Sequence, residues 1–200
     1  MNNTIRLDGL LLGKKLRNKL RCHVEKLDKK PGLAVILVGN NPASLAYIGM
    51  KKKACDALGF YSKEIRLDPS EGQKKLESVI DALNADSAIH GILLQLPLPA
   101  EFNELELLSR IDSKKDVDGF HPINVGKVLS DNGGLKPCTP YGVMKLLEDY
   151  KISTEGKHVV VLGRSNIVGK PMAALMLQRQ ANATVTVCHS KTNNVIELTQ

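Results

Sequence analysis

Three side chains able to move protons or grip a flat ligand recur at helical spacing. Ser44, Tyr47 and Lys51 lie three and four residues apart, and Cys55 and Leu58 continue the line. On an α-helix that spacing gathers all five on one face, and the apolar members indicate a face that points inward. An amine there either snorkels to the surface or sits in a cleft with a lowered pKa, where it exchanges protons near neutral pH. Tyr47, one turn earlier, brings a ring that can stack on a flat ligand and a hydroxyl that can hydrogen-bond the amine. The rival reading of Lys51 is one member of the solvated patch Lys51-Lys52-Lys53.

Two further segments carry polar groups in telling places. Gly91-Ile92-Leu93-Leu94-Gln95-Leu96-Pro97-Leu98-Pro99 puts one amide in an apolar run. A buried amide needs partners, and Gln95 falls at the carboxyl end of its strand, where open α/β sheets bind ligands. It either lines such a site or is satisfied by neighbouring backbone. Lys115-Asp116-Val117-Asp118-Gly119-Phe120-His121-Pro122 combines two carboxylates with a histidine. A lone carboxylate can accept paired N–H groups from a nitrogen heterocycle, and a solvated turn is the alternative. Asp-x-Asp without further ligands falls short of a calcium loop, so no metal site is expected.

Gly163-Arg164-Ser165-Asn166-Ile167-Val168-Gly169, between a strand and a helix, departs from the GxGxxG dinucleotide fingerprint in having Ser165 at the second glycine. The turn is still expected to cradle phosphates with backbone N–H groups. Past the next strand the chain reads Val187-Cys188-His189-Ser190-Lys191, with no acid to accept a ribose 2′-hydroxyl. Arg164, Ser190 and Lys191 are available for a 2′-phosphate, which favours NADP over NAD.

The elements that must hold these residues are set by periodicity and caps. A helix runs from about Gly9 to Leu27, with Leu12, Leu16, Leu20, Val24 and Leu27 as its buried face. Leu33–Val38 is a strand buried on both sides. Asn41-Pro42 caps a helix that ends at Leu58 before Gly59. A half-buried strand at 61–67 leads to a capping box at Ser70-Glu71-Gly72-Gln73 and a helix to Asn84. A strand at 91–96, a short helix at 104–111, a polar stretch at 112–122 and an irregular region come next. Thr139-Pro140 opens a connector helix to Tyr150. Strand 158–162, helix 171–180 and strand 184–188 form a second βαβ unit. This alternation is the grammar of an α/β protein, and the boundary between its two lobes is placed near Thr139.

Composition narrows the field further. The 200 residues are 42% hydrophobic, enough for a core, and no apolar run approaches the roughly 18 residues of a membrane span. The N-terminus lacks the zones of a signal peptide, and Cys22, Cys55, Cys138 and Cys188 form no CxxC pair, as suits a reducing cytoplasm. Lys and Arg number 28 against 21 Asp and Glu, a net charge of +7, but the cations are scattered. With three Phe, four Tyr and no Trp there is little for bases to stack on. An anionic metabolite is the better partner than nucleic acid.

Taken in order, Ser44-x2-Tyr47-x3-Lys51, the Gly91–Pro99 run, Lys115-Asp116-Val117-Asp118-Gly119, Pro137-Cys138-Thr139-Pro140 and Gly163-Arg164-Ser165-x2-Val168-Gly169-x-Pro171 closely resemble the bifunctional methylenetetrahydrofolate dehydrogenase/methenyltetrahydrofolate cyclohydrolase family. The resemblance runs from Leu7-Asp8-Gly9 to His189-Ser190-Lys191-Thr192. It implies an α/β folate-binding catalytic domain over residues 1–138, then the start of a Rossmann-type NADP-binding domain over 139–200. The implied chemistry is NADP-dependent oxidation of 5,10-methylenetetrahydrofolate to the 5,10-methenyl form, then hydrolysis to 10-formyltetrahydrofolate. Lys51 matches the catalytic lysine, with Tyr47 packing on the folate and orienting that lysine, and Gln95 hydrogen-bonding and tuning it, so that the three form the implied catalytic set. Asp118 matches the aspartate that grips the pterin, Ser44 falls in the substrate site, and Gly163, Arg164, Ser165 and Ser190 match cofactor positions. The implied partners are tetrahydrofolate derivatives, polyglutamylated forms included, and in full-length members a second copy joined through the nucleotide lobes. No nucleic acid or membrane is implied, and the setting is cytoplasmic.

Tyr-x3-Lys is also the pair of short-chain dehydrogenases, but there it comes after the glycine-rich loop, whereas Tyr47 and Lys51 precede Gly163. The nucleotide domain is expected to be incomplete in this chain: two strands are found after Thr139, and the family's later PGGVGPMT motif is absent. Weak or no dehydrogenase activity is therefore expected unless the rest is supplied. The alternative is a folate-binding or regulatory fragment without turnover.

Overall fold

The computed structural model describes residues 4–200. They form two compact units, one of Lys14–Val117 and one of the N-terminal residues up to Gly13 together with Asp118–Gln200. Helix α1 (Gly9–Val24) carries the chain from one to the other. Among the described residues no helix is long and apolar enough to cross a membrane.

The Lys14–Val117 unit is built on a parallel sheet of β1 (Gly32–Val38), β2 (Tyr61–Leu67) and β3 (Gly91–Leu94) in the order β2-β1-β3. The central strand has no polar side chain and is buried at Ala34, Val35, Ile36, Leu37 and Val38, as a strand covered on both faces must be. The edge strand β2 exposes Lys63, Glu64 and Arg66 and half-buries Ser62 and Ile65. Helices α2 (Pro42–Leu58), α3 (Gly72–Ala85) and α4 (Glu104–Arg110) complete the unit. Leu76, Ile80 and Leu83 of α3 are fully buried at the three-to-four spacing of one stripe.

In the Asp118–Gln200 unit, α5 (Pro122–Leu129) and α6 (Cys138–Asp149) precede a parallel pair, β4 (His158–Leu162) and β5 (Thr184–Cys188), joined by α7 (Gly169–Leu177). A short helix, α8 (Val195–Leu198), comes after β5. The core gathers Val128, Val161, Met172, Ala174, Leu175 and Met176. Helix α7 is buried at every residue from Pro171 to Met176, which accounts for its lack of a polar face. The Gln178 amide donates to the Val128 carbonyl at 2.7 Å, closing the end of α5 onto α7. The Asp8 N–H donates to the Tyr150 hydroxyl at 2.8 Å, tying the N-terminal segment to the end of α6.

Four expectations from the sequence need correction. Of the α1 stripe, Leu12 and Val24 are buried, but Leu16, Leu20 and Leu27 are 39%, 48% and 47% exposed. Periodicity shows which residues share a face, not whether another element covers it. The capping box sits two residues earlier than expected: the Asp68 carboxylate accepts from Ser70 N–H, and the Glu71 carboxylate accepts from Asp68 N–H at 2.9 Å. It opens a single 3₁₀ turn, Pro69–Glu71, and α3 begins without a side-chain cap of its own. Thr139 is likewise no cap, since α6 begins at Cys138 behind Pro137. Helix α5 stands where irregular chain is expected; His121 opens it, its Nδ1 accepting from Ile123 N–H at 3.1 Å.

The α2 start is as expected. The Asn41 side chain accepts from Ala43 and Ser44 N–H at 2.9 and 3.3 Å, with Pro42 in the first turn. Asn41→Ala should therefore cost about 1 kcal/mol, measured as a lower urea midpoint with an unchanged slope.

Candidate functional site

Helix α2 is fixed at both ends, by Asn41 and by Gly59 in the left-handed conformation (φ 73°). Its buried residues are Ser44, Ile48 and Cys55. At about 100° per residue these three fall within about 40° of one another, with Lys51 about 40° round from their centre and Tyr47 about 80°. The expected inward face is thus inward at Ser44 and Cys55, half-buried at Lys51, and 57% exposed at Tyr47. Burial pushes the Cys55 thiol up, helped by the Asp56 carboxylate, so it stays protonated and inert.

The half-buried Lys51 Nζ donates to Gln95 Oε1 at 3.0 Å. Gln95 stands one residue beyond β3, and its backbone N–H still pairs with the Ile36 carbonyl at 2.9 Å. Its Nε2 donates to the Leu96 carbonyl at 2.6 Å. The two side-chain bonds fix the amide's orientation, because a flipped amide would set NH₂ against ammonium and carbonyl against carbonyl. Of the two readings left open for Gln95, satisfaction by neighbouring backbone is met at one end of the amide, while the other end presents an acceptor to the Lys51 amine. Among the described residues the Tyr47 hydroxyl makes no hydrogen bond to Lys51, so Gln95 and not Tyr47 orients the amine.

The Lys115–Pro122 segment is not a solvated turn. Asp116 is buried (2% exposed), and Asp118 and Gly119 are at least half-buried. Asp116 bridges Ile92 as an added parallel step beside β3, with Ile92 N–H donating to the Lys115 carbonyl at 2.7 Å. A Cβ on Gly91 would strike the Val117 side chain. Gly119 adopts φ +69°, and a Cβ there would meet backbone atoms of Leu135, Lys136 and Pro137, each at 2.7 Å. A feature that sequence reasoning misses is the Lys115 ammonium, which donates to the carbonyls of Leu83, Asn84 and Asp86 at 3.0, 2.8 and 2.9 Å.

In the other unit, Leu162 pairs with Cys188 in register, and Gly163 N–H donates to the Cys188 carbonyl at 2.8 Å. The turns after β4 and β5 therefore leave the same edge of the sheet. Gly163 holds φ +125°, and a Cβ on Gly169 would collide with the Gly163 carbonyl. The Ser165 hydroxyl accepts from Val168 and Gly169 N–H at 3.1 and 3.2 Å. Two N–H groups at the start of α7 are thereby taken within the turn itself. Beyond β5, His189 N–H donates to Thr192 Oγ1 at 2.8 Å and Lys191 N–H to His189 Nδ1 at 3.1 Å, a closed turn that leaves Ser190 and Lys191 exposed. With exposed Arg164 these give two cations and a hydroxyl, and no carboxylate lies between Cys188 and Val195. That donor set fits a dinucleotide bearing a 2′-phosphate at the edge where α/β sheets take nucleotides.

Comparison with known proteins agrees with this arrangement. Residues 7–118 match the catalytic domain of tetrahydrofolate dehydrogenase/cyclohydrolase, and residues 137–200 match its NAD(P)-binding domain. The bifunctional protein FolD of Halalkalibacterium halodurans is 49% identical over 99% of this chain and 71% of its own. A bifunctional FolD dehydrogenase/cyclohydrolase structure from Campylobacter jejuni superposes with a TM-score of 0.90 at 47% identity, covering 94% of this chain and 67% of that one. The Trypanosoma brucei FolD structure, complexed with NADP cofactor and inhibitor, gives 0.93 at 35% identity over 99% of this chain and 69% of that one. With both domain models matched in order and the lysine–glutamine pair standing at the end of a parallel strand, the chain belongs to the tetrahydrofolate dehydrogenase/cyclohydrolase family.

Proposed function

We propose that this protein works in one-carbon metabolism, oxidising 5,10-methylenetetrahydrofolate with NADP and hydrolysing the 5,10-methenyl product to 10-formyltetrahydrofolate. The observation that carries the reading is the Lys51–Gln95 hydrogen bond of 3.0 Å.

In the hydrolytic half, a water oxygen bonds to the one-carbon bridge of the methenyl cation and passes one proton to Lys51 Nζ acting as the free amine. That proton is then returned to the ring nitrogen whose bond to the carbon breaks, while the remaining hydroxyl proton leaves to water as the formyl C=O forms, so one amine serves both transfers. Gln95 Oε1 holds Nζ in one place throughout, because its own amide is tied to the Leu96 carbonyl. In this reading the exposed ring of Tyr47 stacks on the flat pterin, and the Asp118 carboxylate accepts its paired N–H groups. Ser44, buried one turn before Tyr47 on the same helix, is assigned to the substrate site in the same reading.

The chemistry that NADP supplies when bound is hydride acceptance. In this reading Arg164 and Ser190 hold the 2′-phosphate, while Gly163 and Ser165 shape the turn that admits the dinucleotide. The reading places the folate and the chemistry in residues 1–138 and the cofactor in 139–200. It also carries a homodimer joined through the nucleotide lobes, tetrahydrofolate derivatives rather than nucleic acid or membrane as partners, and a cytoplasmic setting. All four cysteines are free, which supports the last.

The test is loss of the methenyltetrahydrofolate chromophore with and without protein at one pH, together with NADP titration. Hydrolysis faster than buffer alone and saturable NADP binding are expected, and hydrolysis no faster than buffer sinks the reading. Arg164→Ala should weaken NADP about tenfold and leave NAD unchanged, since one charge-assisted contact to phosphate is lost.

A further inference from the structure

We propose that Lys115 is a positioning residue for the folate site, clamping the strip of chain that flanks β3 and leads into Asp118. The proposal rests on the folate reading above, for which Asp118 and Gln95 are the residues being placed.

An ammonium has three N–H donors, and all three of Lys115 are matched by main-chain carbonyls at the end of α3 and just beyond it, those of Leu83, Asn84 and Asp86. Carbonyls at a helix C-terminus lack intrahelical partners and carry the negative end of the helix dipole, so the site suits a cation well. With its donors engaged, Lys115 has no proton to offer a ligand, which separates it from Lys51. The same helix end holds the chain a second time: the Asn84 amide donates to the Arg110 carbonyl at 2.8 Å and accepts from Asp112 N–H at 2.8 Å. Residues 110–115 are therefore gripped at both ends by α3.

The purpose of the clamp lies in the residues just beyond it. The Lys115 carbonyl accepts from Ile92 N–H, and Val117 N–H reaches back to the Ile92 carbonyl across a long 3.5 Å. Ile92 lies on β3 three residues before Gln95, the acceptor of the Lys51 amine. Asp118 is the residue after Val117. Lys115 thus braces the outer side of β3, which leads into Gln95, and fixes the register of the strip that leads into Asp118, its own three side-chain bonds going to main-chain carbonyls.

The experiment compares wild type with Lys115→Met and Lys115→Arg by amide hydrogen exchange and by tetrahydrofolate and NADP titration. Methionine keeps the stem and removes the donors, whereas arginine keeps the charge. In Lys115→Met the Ile92 and Val117 amides should exchange at least about tenfold faster while the β1 amides hold. Tetrahydrofolate affinity should fall about tenfold with NADP affinity unchanged, and Lys115→Arg should stay within about threefold of wild type. Should Lys115→Met fail to fold, Lys115→Gln, with two donors, is measured in its place and should fall between the two. Unchanged exchange at Ile92 and Val117 overturns the clamp. Faster exchange with unchanged folate affinity, or equal loss of folate and NADP, overturns the positioning role and leaves Lys115 as general scaffolding. If wild type itself binds no folate, the folate reading fails and with it the positioning role, while the amide exchange still decides the clamp.

Discussion

Lys51→Met is expected to slow hydrolysis of methenyltetrahydrofolate by about 10²–10⁴-fold, the range that one positioned acid/base group contributes, while NADP affinity stays as it was. Methionine keeps an unbranched apolar side chain of similar length, so the change removes the amine with little change in bulk. What disappears is the only nitrogen seen to hydrogen-bond Gln95 Oε1 among the described residues. Leaving that half-buried oxygen without its donor should cost about 1 kcal/mol of stability, a loss a folded domain tolerates. Lys52→Met is the internal control: Lys52 is exposed one residue away, carries the same charge and should leave the rate unchanged. Equal effects of the two variants would mean that charge alone matters at this end of α2. Normal hydrolysis by Lys51→Met would remove Lys51 from the chemistry altogether.

Gly169→Ala is expected to be the more destructive change to the fold. A Cβ at this position would overlap the Gly163 carbonyl and crowd Arg164 N at 2.8 Å. Those are main-chain atoms at the end of β4, pinned by the Gly163 bond to Cys188, so neither side can give by a rotamer change. One methyl group should therefore cost about 3 kcal/mol, at the upper end of overpacking. It should also open the turn that presents Arg164. A denaturation midpoint and an NADP titration on the same sample check both consequences. Full stability with normal cofactor affinity would show that β4 and α7 approach each other less tightly than this geometry requires.

Local chemistry is readable where the partner lies close in sequence. Asn41 and Pro42 announce the start of α2, Gly59 its end, and the apolar run of β1 its burial on both faces. Gly163 and Gly169 mark the strand-turn-helix passage by residue type alone. Sequence misleads where several residues compete for one role, or where a side chain serves in an unusual way. Asp68-Pro69-Ser70-Glu71 and Ser70-Glu71-Gly72-Gln73 are overlapping capping signatures, and the carboxylate that can reach Ser70 N–H wins. His121 reads as a residue for chemistry, while its ring nitrogen instead caps α5, whose start is hidden for that reason. Tyr47 shares the helical line with Lys51, yet the drift of three-residue steps swings it out of the buried face. Lys115 is beyond reach for another reason: its partners are backbone carbonyls about thirty residues away, and a carbonyl has no letter in the sequence. The α1 stripe shows the complementary limit, since apolar spacing predicts burial for Leu16 and Leu20 that the described residues do not supply.

The serine in the β4–α7 turn has a consequence for how a ligand meets this protein. Ser165 closes the first turn of α7 from within, so two N–H groups of that turn are already bonded before anything arrives. A glycine at that position would leave a floppy cradle that a ligand must order, at a cost in conformational entropy. Here that cost is met during folding, and docking becomes closer to lock-and-key. On the NADP reading proposed above, attraction then comes from the long side chains of Arg164 and Lys191, which act over several ångströms and are screened by salt. The edge of the sheet behaves as a fixed shelf with mobile charges above it, fast to engage and sensitive to ionic strength.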